Sequence, residues 1–198
     1  MSRLHDTILA CALAEVTSRT EWDEPPALYF LRVERGEAAL IAVPLPEVVW
    51  RMGPVADVLE SMARDAGELV PAYRGAMPSG LYGAGFRAEA WEVVTDQSAS
   101  KAKRARDHRD AWTRRISERP DRTEIRTLTV VDRAGITYSA AVRRNGETEA
   151  HILYRTVGTM VGAVPDALDH MVTALLGVEL GTRPDAPDEA FWRGESDD

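Results

Sequence analysis

The sequence predicts an α+β domain with an antiparallel sheet of about six strands and helices mainly on one face. Three observations carry this. The stretch Arg122–Arg155 reads as three short strands joined by two turns of the form x-x-Gly. A second hairpin pattern occupies Ala27–Val33 and Ala38–Val43. Amphipathic helical stripes precede, separate and follow these strands.

Taken in order, residues from Ser2 to about Ser18 form a helix. Leu4, Ile8, Cys11, Ala12 and Glu15 fall on one side and Leu9, Leu13 and Val16 on another. Cys11 sits among apolar neighbours and reads as a small buried hydrophobe. Glu21–Pro26 is a polar break with two prolines. The hairpin that follows turns at Glu34-Arg35-Gly36, and its strands are apolar on both faces, so both faces are expected to be covered. Pro46–Trp50 suits a short helical turn, broken by Gly53-Pro54. Pro54 suits the first position of a new helix, whose stripe is Val55, Val58, Leu59, Met62 and Ala63. Gly67 reads as its left-handed stop, and Glu68–Gly80 as a loop.

Leu81–Thr95 reads as a strand. Gly83 and Gly85 within it point to a bulge or to close approach of another backbone. Asp96–Asp121 is a charged excursion with eight basic and five acidic residues and little apolar content beyond Trp112 and Ile116. It reads as a mobile or partly helical connection between antiparallel neighbours Arg87–Val94 and Ile125–Val131.

Turn chemistry sets the register of the central meander. Asn145-Gly146 suggests a two-residue loop, but that loop would place Tyr138 opposite Leu153 and Val142 opposite Glu149. A three-residue loop with Gly146 in the left-handed region instead aligns Tyr138 with Ile152, Ile136 with Tyr154 and Ala140 with Ala150. The same loop at Gly135 aligns Val130 with Tyr138 and Leu128 with Ala140. One apolar face then runs across all three strands, and a slip of one residue would invert it. The opposite face carries Thr127, Thr129, Val131, Thr137, Ser139, Ala141, His151 and Leu153, with Thr129, Ser139 and His151 in one row. After a Gly-containing loop, Thr156–Ala163, a helix begins at Pro165, carries Leu168, Met171, Val172, Leu175 and Leu176, and stops at Gly177. Residues 1–177 therefore read as one domain, and 178–198 as an acidic, disordered tail.

The chain has 198 residues, 44% hydrophobic and 28% charged, with a net charge of −8. That balance is globular and gives no general attraction to nucleic acid or anionic membranes. No stretch approaches the ~20 apolar residues of a membrane span. Asp6 and Glu15 interrupt the apolar N-terminal run and no cleavage region follows, so no secretory signal is expected. One cysteine allows no internal disulfide. The expectation is a cytoplasmic protein.

The two helices that follow hairpins match one another. Gly53, Val55, Asp57, Leu59 and Met62 align with Gly162, Val164, Asp166, Leu168 and Met171, and the same spacing of 109 residues aligns Tyr29 with Tyr138 and Val33 with Val142. This suggests a strand–strand–helix duplication; similarity between any two amphipathic helices is the alternative. Asp57 and Asp166 fall in first turns, where a carboxylate meets the positive end of the helix dipole. The element order resembles Roadblock, longin and profilin-like domains, which are mostly binding and scaffolding modules, a likeness of fold and not of site. FRAEAW, from Phe86, and VVDRAGITY, from Val130, resemble actinobacterial proteins of unknown function, over about Phe86–Val142. That resemblance implies no activity.

Chemistry-bearing patterns are sparse. His5, His108, His151 and His170 are scattered and lack metal-ligand spacing. Gly83 and Gly85 lack the remainder of a phosphate-binding fingerprint, and no cofactor is expected. Ser139 and His151, with Thr129 beside them, are the candidate catalytic group for a small hydrolase-like enzyme. Such a site needs a third group to orient the imidazole, and Glu89 or Glu92 are the carboxylates within strand reach. Arg104, Arg106, Trp112, Arg114 and Arg115 form a candidate binding arm, for an acidic partner or, as a further alternative, nucleic acid; the interleaved acids and the acidic remainder disfavour nucleic acid. Phe191 and Trp192 in the tail are a candidate docking pair. The reading reached from sequence is a non-catalytic binding or adaptor module whose partner is another protein.

Overall fold

A computed structural model of the chain describes residues 3–73, 80–93, 100–103, 118–153 and 163–177, the side chains of 67–73 excepted. The elements are α1 (Arg3–Thr17), β1 (Ala27–Glu34), β2 (Glu37–Ala42), a 3-10 turn (Glu47–Arg51), α2 (Val55–Tyr73), β3 (Leu81–Glu92), β4 (Thr123–Asp132), β5 (Thr137–Arg143), β6 (Thr148–Leu153) and α3 (Ala163–Leu176). The strands form one antiparallel six-stranded sheet in the order β2-β1-β3-β4-β5-β6.

The meander has the register that its side chains demand. Val130 pairs with Tyr138, Leu128 with Ala140, Tyr138 with Ile152 and Ala140 with Ala150. Gly135 and Gly146 take φ of 79° and 91°, each in a three-residue turn closed by a backbone bond, Gly135 N to Asp132 O and Gly146 N to Arg143 O. Ile136 opposite Tyr154 involves a residue outside those described. The β1–β2 turn is tighter: Arg35 and Gly36 both have positive φ between the paired Glu34 and Glu37, as in a type I′ hairpin.

Two of the three long helices share a face, and the third covers the other. On one face Ile8, Ala12 and Val16 of α1 pack on Tyr29, Leu31, Leu128, Val130, Tyr138 and Ala140. On the other, Leu59 and Ala63 of α2 and Leu168, Met171 and Val172 of α3 enclose Leu28, Ala84, Phe86 and Val131. The strands β1, β3 and β4 are therefore apolar on both sides for a visible reason. The face with the hydroxyl row is less open than its composition suggests, because Val131, Thr137 and Ala141 are buried.

Two expectations change. Helix α2 does not stop at Gly67; it continues to Tyr73. A helix-interior glycine costs only about 1 kcal/mol relative to alanine, so cooperative propagation carries the helix past it. Pro54 lies just before the first helical residue: Val58 N donates to Pro54 O at 3.1 Å. At the end of the excursion 96–121, Arg119 is buried and forks onto Asp121 at 2.6 and 2.8 Å. Residues 101–103 are helical; 104–117, with Arg104, Arg106, Trp112, Arg114 and Arg115, lie outside the described residues, as do 178–198 with Phe191 and Trp192.

Gly83 and Gly85 serve close approach. A Cβ on Gly83 would meet Val131 O at 2.3 Å, and one on Gly85 would meet the Val130 side chain at 3.1 Å. A bulge also falls here, where the β1–β3 register shifts between Leu31 and Arg32. This gives a ranked prediction. Gly146→Ala meets open space and only the positive φ, so it should cost about 1 kcal/mol. Gly83→Ala must push the central strands β3 and β4 away from each other and should cost about 3 kcal/mol, the upper end for overpacking. Urea unfolding of both variants checks the order; equal losses would contradict the close packing of β3 on β4.

Candidate functional site

The predicted hydroxyl–imidazole row forms: Phe86 pairs with Thr129, Thr129 with Ser139 and Ser139 with His151. Thr129 and Ser139 are half-buried and His151 is exposed. The expected orienting carboxylates are engaged elsewhere. Glu89 points to the opposite face, where it binds Arg126. Glu92 lies three rows along on the same face, paired with Arg143, which also holds Glu149 at 3.1 Å. Among the described residues no carboxylate is hydrogen-bonded to His151. Two of the three roles that nucleophile activation requires are thus aligned, and the third is not supplied.

The opposite face holds a charged network that links residues far apart in sequence. The Arg126 guanidinium is fully buried. Its Nε and Nη2 donate to Glu89 Oε1 at 3.0 and 2.7 Å, Nη1 donates to Arg19 O at 2.9 Å, and Nη2 also reaches Glu21 O. Trp22 lies over it, 4.8 Å from its carbon centre to the ring centroid. The second oxygen of Glu89 accepts Asp23 N at 2.6 Å, which holds Asp23 at φ 67°. Beside it, buried Arg87 pairs with Glu24 at 2.7 Å and donates to Tyr29 Oη, and Tyr29 donates to Glu15 Oε1 at 2.7 Å. Burial and then the Glu15 contact push the Tyr29 hydroxyl above its ordinary pKa. Every strong group here is engaged in tying the α1–β1 loop to the sheet. Asp23, Glu89 and Glu124 bring one oxygen each within 4.8 Å of one another; Glu89 and Glu124 are already balanced by Arg126 and Arg144.

Asp132, also fully buried, organises the β4–β5 turn. Its Oδ1 accepts Ala134 N at 2.8 Å and Ile136 N at 3.0 Å, and its Oδ2 accepts the Tyr138 hydroxyl at 2.8 Å. Burial raises its pKa, and the three donors oppose that rise. Cys11 is partly buried with its thiol pushed up by burial, consistent with a packing role.

A groove runs along the outer side of α2, between that helix and the 3-10 turn, with a volume of 440 Å³. Val49, Met52, Pro54, Val58 and Met62 line it with apolar surface, and Asp57, Ser61 and Asp65 form its polar side. Trp50 holds the turn against β3, its ring 5.3 Å from Phe86. Val48 in the turn and Met52 just after it then face outward, 64% and 78% exposed. Sequence reasoning found the turn and the helix but did not bring them together. The available signal was an apolar run, Val48-Val49-Trp50, too short to be buried on all sides.

Two predictions concern the networks. Arg126→Met leaves the half-buried Glu89 without its cation and should lower stability by about 3 kcal/mol. Glu89→Gln with Arg126→Met should recover some of that loss, as chemical denaturation in a double-mutant cycle would show; strict additivity would mean that the pair is not coupled. For Asp132, the raised pKa means that its ionised form is disfavoured in the fold. Its titration contribution to stability is fully present below the ordinary carboxylate value and is lost as pH rises through the raised one. The stability of Asp132→Asn relative to the parent should therefore improve as pH rises through that window. Asp132→Ala should cost about 2–4 kcal/mol below that window and less above it, since it strands a buried hydroxyl and two amides.

No described helix is long and apolar enough to cross a membrane. Comparison with family models, with curated proteins and with solved structures finds no match for the chain.

Proposed function

We propose that the chain is a non-catalytic binding module for another protein, with the α2 groove as its docking surface. One observation carries the reading: two large apolar side chains, Val48 and Met52, stand exposed at a groove that Val49, Val58 and Met62 line with further apolar surface. Exposed apolar surface rimmed by polar groups marks interaction sites. Methionine suits such a surface because its thioether chain adapts to different shapes. The charged network on the opposite face supports the same reading, since its strong groups are already paired within the fold.

The test places a photo-crosslinking amino acid at position 52 and, as a control, at Asn145, an exposed turn residue remote from the groove. A discrete crosslinked protein is expected from position 52 alone. The pair Val48→Asp and Met52→Asp, combined with a crosslinker at Ser61, should abolish that product while changing stability by only about 0.5 kcal/mol, as surface substitutions do. Absence of any product specific to position 52 would remove the groove from consideration.

The aligned Ser139–His151 row favours a second reading, a hydrolase-like activity. Turnover of ester substrates that is lost in Ser139→Ala would establish it.

A further inference from the structure

We infer that the groove's occupant is a cationic amphipathic helix of a partner protein, an inference that rests on the docking function proposed above. The groove pairs an apolar wall with a one-signed rim. Met52, Val58 and Met62 supply apolar contact, and Asp57 and Asp65, both exposed, supply negative charge; no basic residue lines it. Asp57 and Asp65 are two turns apart on one row of α2, so the rim extends about 12 Å along the helix axis. Two turns of a partner helix match that length, with apolar side chains at i and i+4 in the groove and Lys or Arg flanking them.

The rim differs from the acidic groups that the fold uses in its ion pairs. Glu24, Glu47, Glu89, Glu92 and Glu124 each have an arginine within the fold. No ion pair engages Asp57 or Asp65 among the described residues. Asp57 has a local reason to be acidic, the first turn of α2. Asp65 lies beyond the reach of that dipole, and its charge has no ion-pair partner among the described residues. The same charges argue against a second copy as occupant. A two-fold contact through this groove would set Asp57 and Asp65 against their own kind, on a chain that already carries −8.

The probe is a model helix of about 18 residues with leucine at i, i+3, i+4 and i+7 and lysine elsewhere, compared with its Leu/Glu counterpart of the same pattern. Binding to the full chain is followed by titration calorimetry at low and physiological salt. The Leu/Lys helix should bind at least about tenfold more tightly than the Leu/Glu helix, and should weaken as salt rises. Asp57→Asn with Asp65→Asn should weaken it about three- to tenfold and remove most of the salt dependence. Met52→Asp should abolish binding of both helices, with an unchanged unfolding midpoint confirming an intact fold. Equal binding of both helices, abolished by Met52→Asp but unaffected by the Asn pair, would overturn the charge assignment and leave the groove as a docking site. Failure of both helices to bind, or binding indifferent to Met52, would overturn both. Groove-dependent dimerisation in sedimentation would overturn the assignment in favour of a second copy.

Discussion

Arg126 is the group on which the arrangement of layers most depends. It sits on the central strand β4 with no exposed surface, where an unpaired cation would be prohibitive. Glu89 on β3 neutralises it, and the carbonyls of Arg19 and Glu21 complete its donor set. Those carbonyls belong to the loop that leaves α1. Satisfying one buried charge therefore fixes where α1 ends, and so how its buried line Ile8, Ala12 and Val16 lies on the sheet. The neighbouring chain Glu15–Tyr29–Arg87–Glu24 repeats the connection between helix, loop and strands. Such a network is weak as a source of net stability but strong as a constraint, because each broken link leaves a buried charge.

This division explains what could be read from the sequence. The register of β4, β5 and β6 was legible because its determinants are local: a glycine at each turn, and alternation that aligns Tyr138 with Ile152 in one register only. The Thr129–Ser139–His151 row followed from the same register. The end of α2 was not legible, since Gly67 is a local signal outweighed by the residues on both sides of it. The Arg126 clamp was illegible in principle. Glu89 is 37 residues away and Arg19 is 107 away, and nothing at Arg126 marks it as buried except its place on a strand. The same applies to Glu89, which periodicity alone left as a possible partner of His151 and which the pleat sends to the other face.

The duplication suggested by spacing has a spatial counterpart. Segments β1-β2-α2 and β5-β6-α3 align at a constant offset, and each contributes an outer pair of strands on one side of β3–β4. Their helices meet over the centre of the sheet, Leu59 and Leu168 being buried together. This arrangement needs close contact between β3 and β4, which Gly83 supplies by lacking a side chain. The aligned Asp57 and Asp166 keep their place in first turns. Asp57 alone combines that place with the groove, because the 3-10 turn preceding α2 supplies the second wall.

The distribution of polar groups then bears on function. A fold that needed a reactive centre would hold a strong group in reserve, accessible and only partly satisfied. On the α1 face the strong groups are consumed: Arg87, Arg126, Glu89 and Asp132 each meet partners within the chain. On the other face, the nucleophile-like row lacks an orienting acid among the described residues. The most exposed of the described large apolar side chains lie at the 3-10 turn. Trp50 uses its ring to attach that turn to Phe86, and geometry allows a five-residue turn to bury one side only. Val48 and Met52 are the cost of that attachment in a free monomer. Beside them stand Asp57 and Asp65, which form no ion pair among the described residues, so the exposed apolar side chains and the unpaired charges fall on one surface.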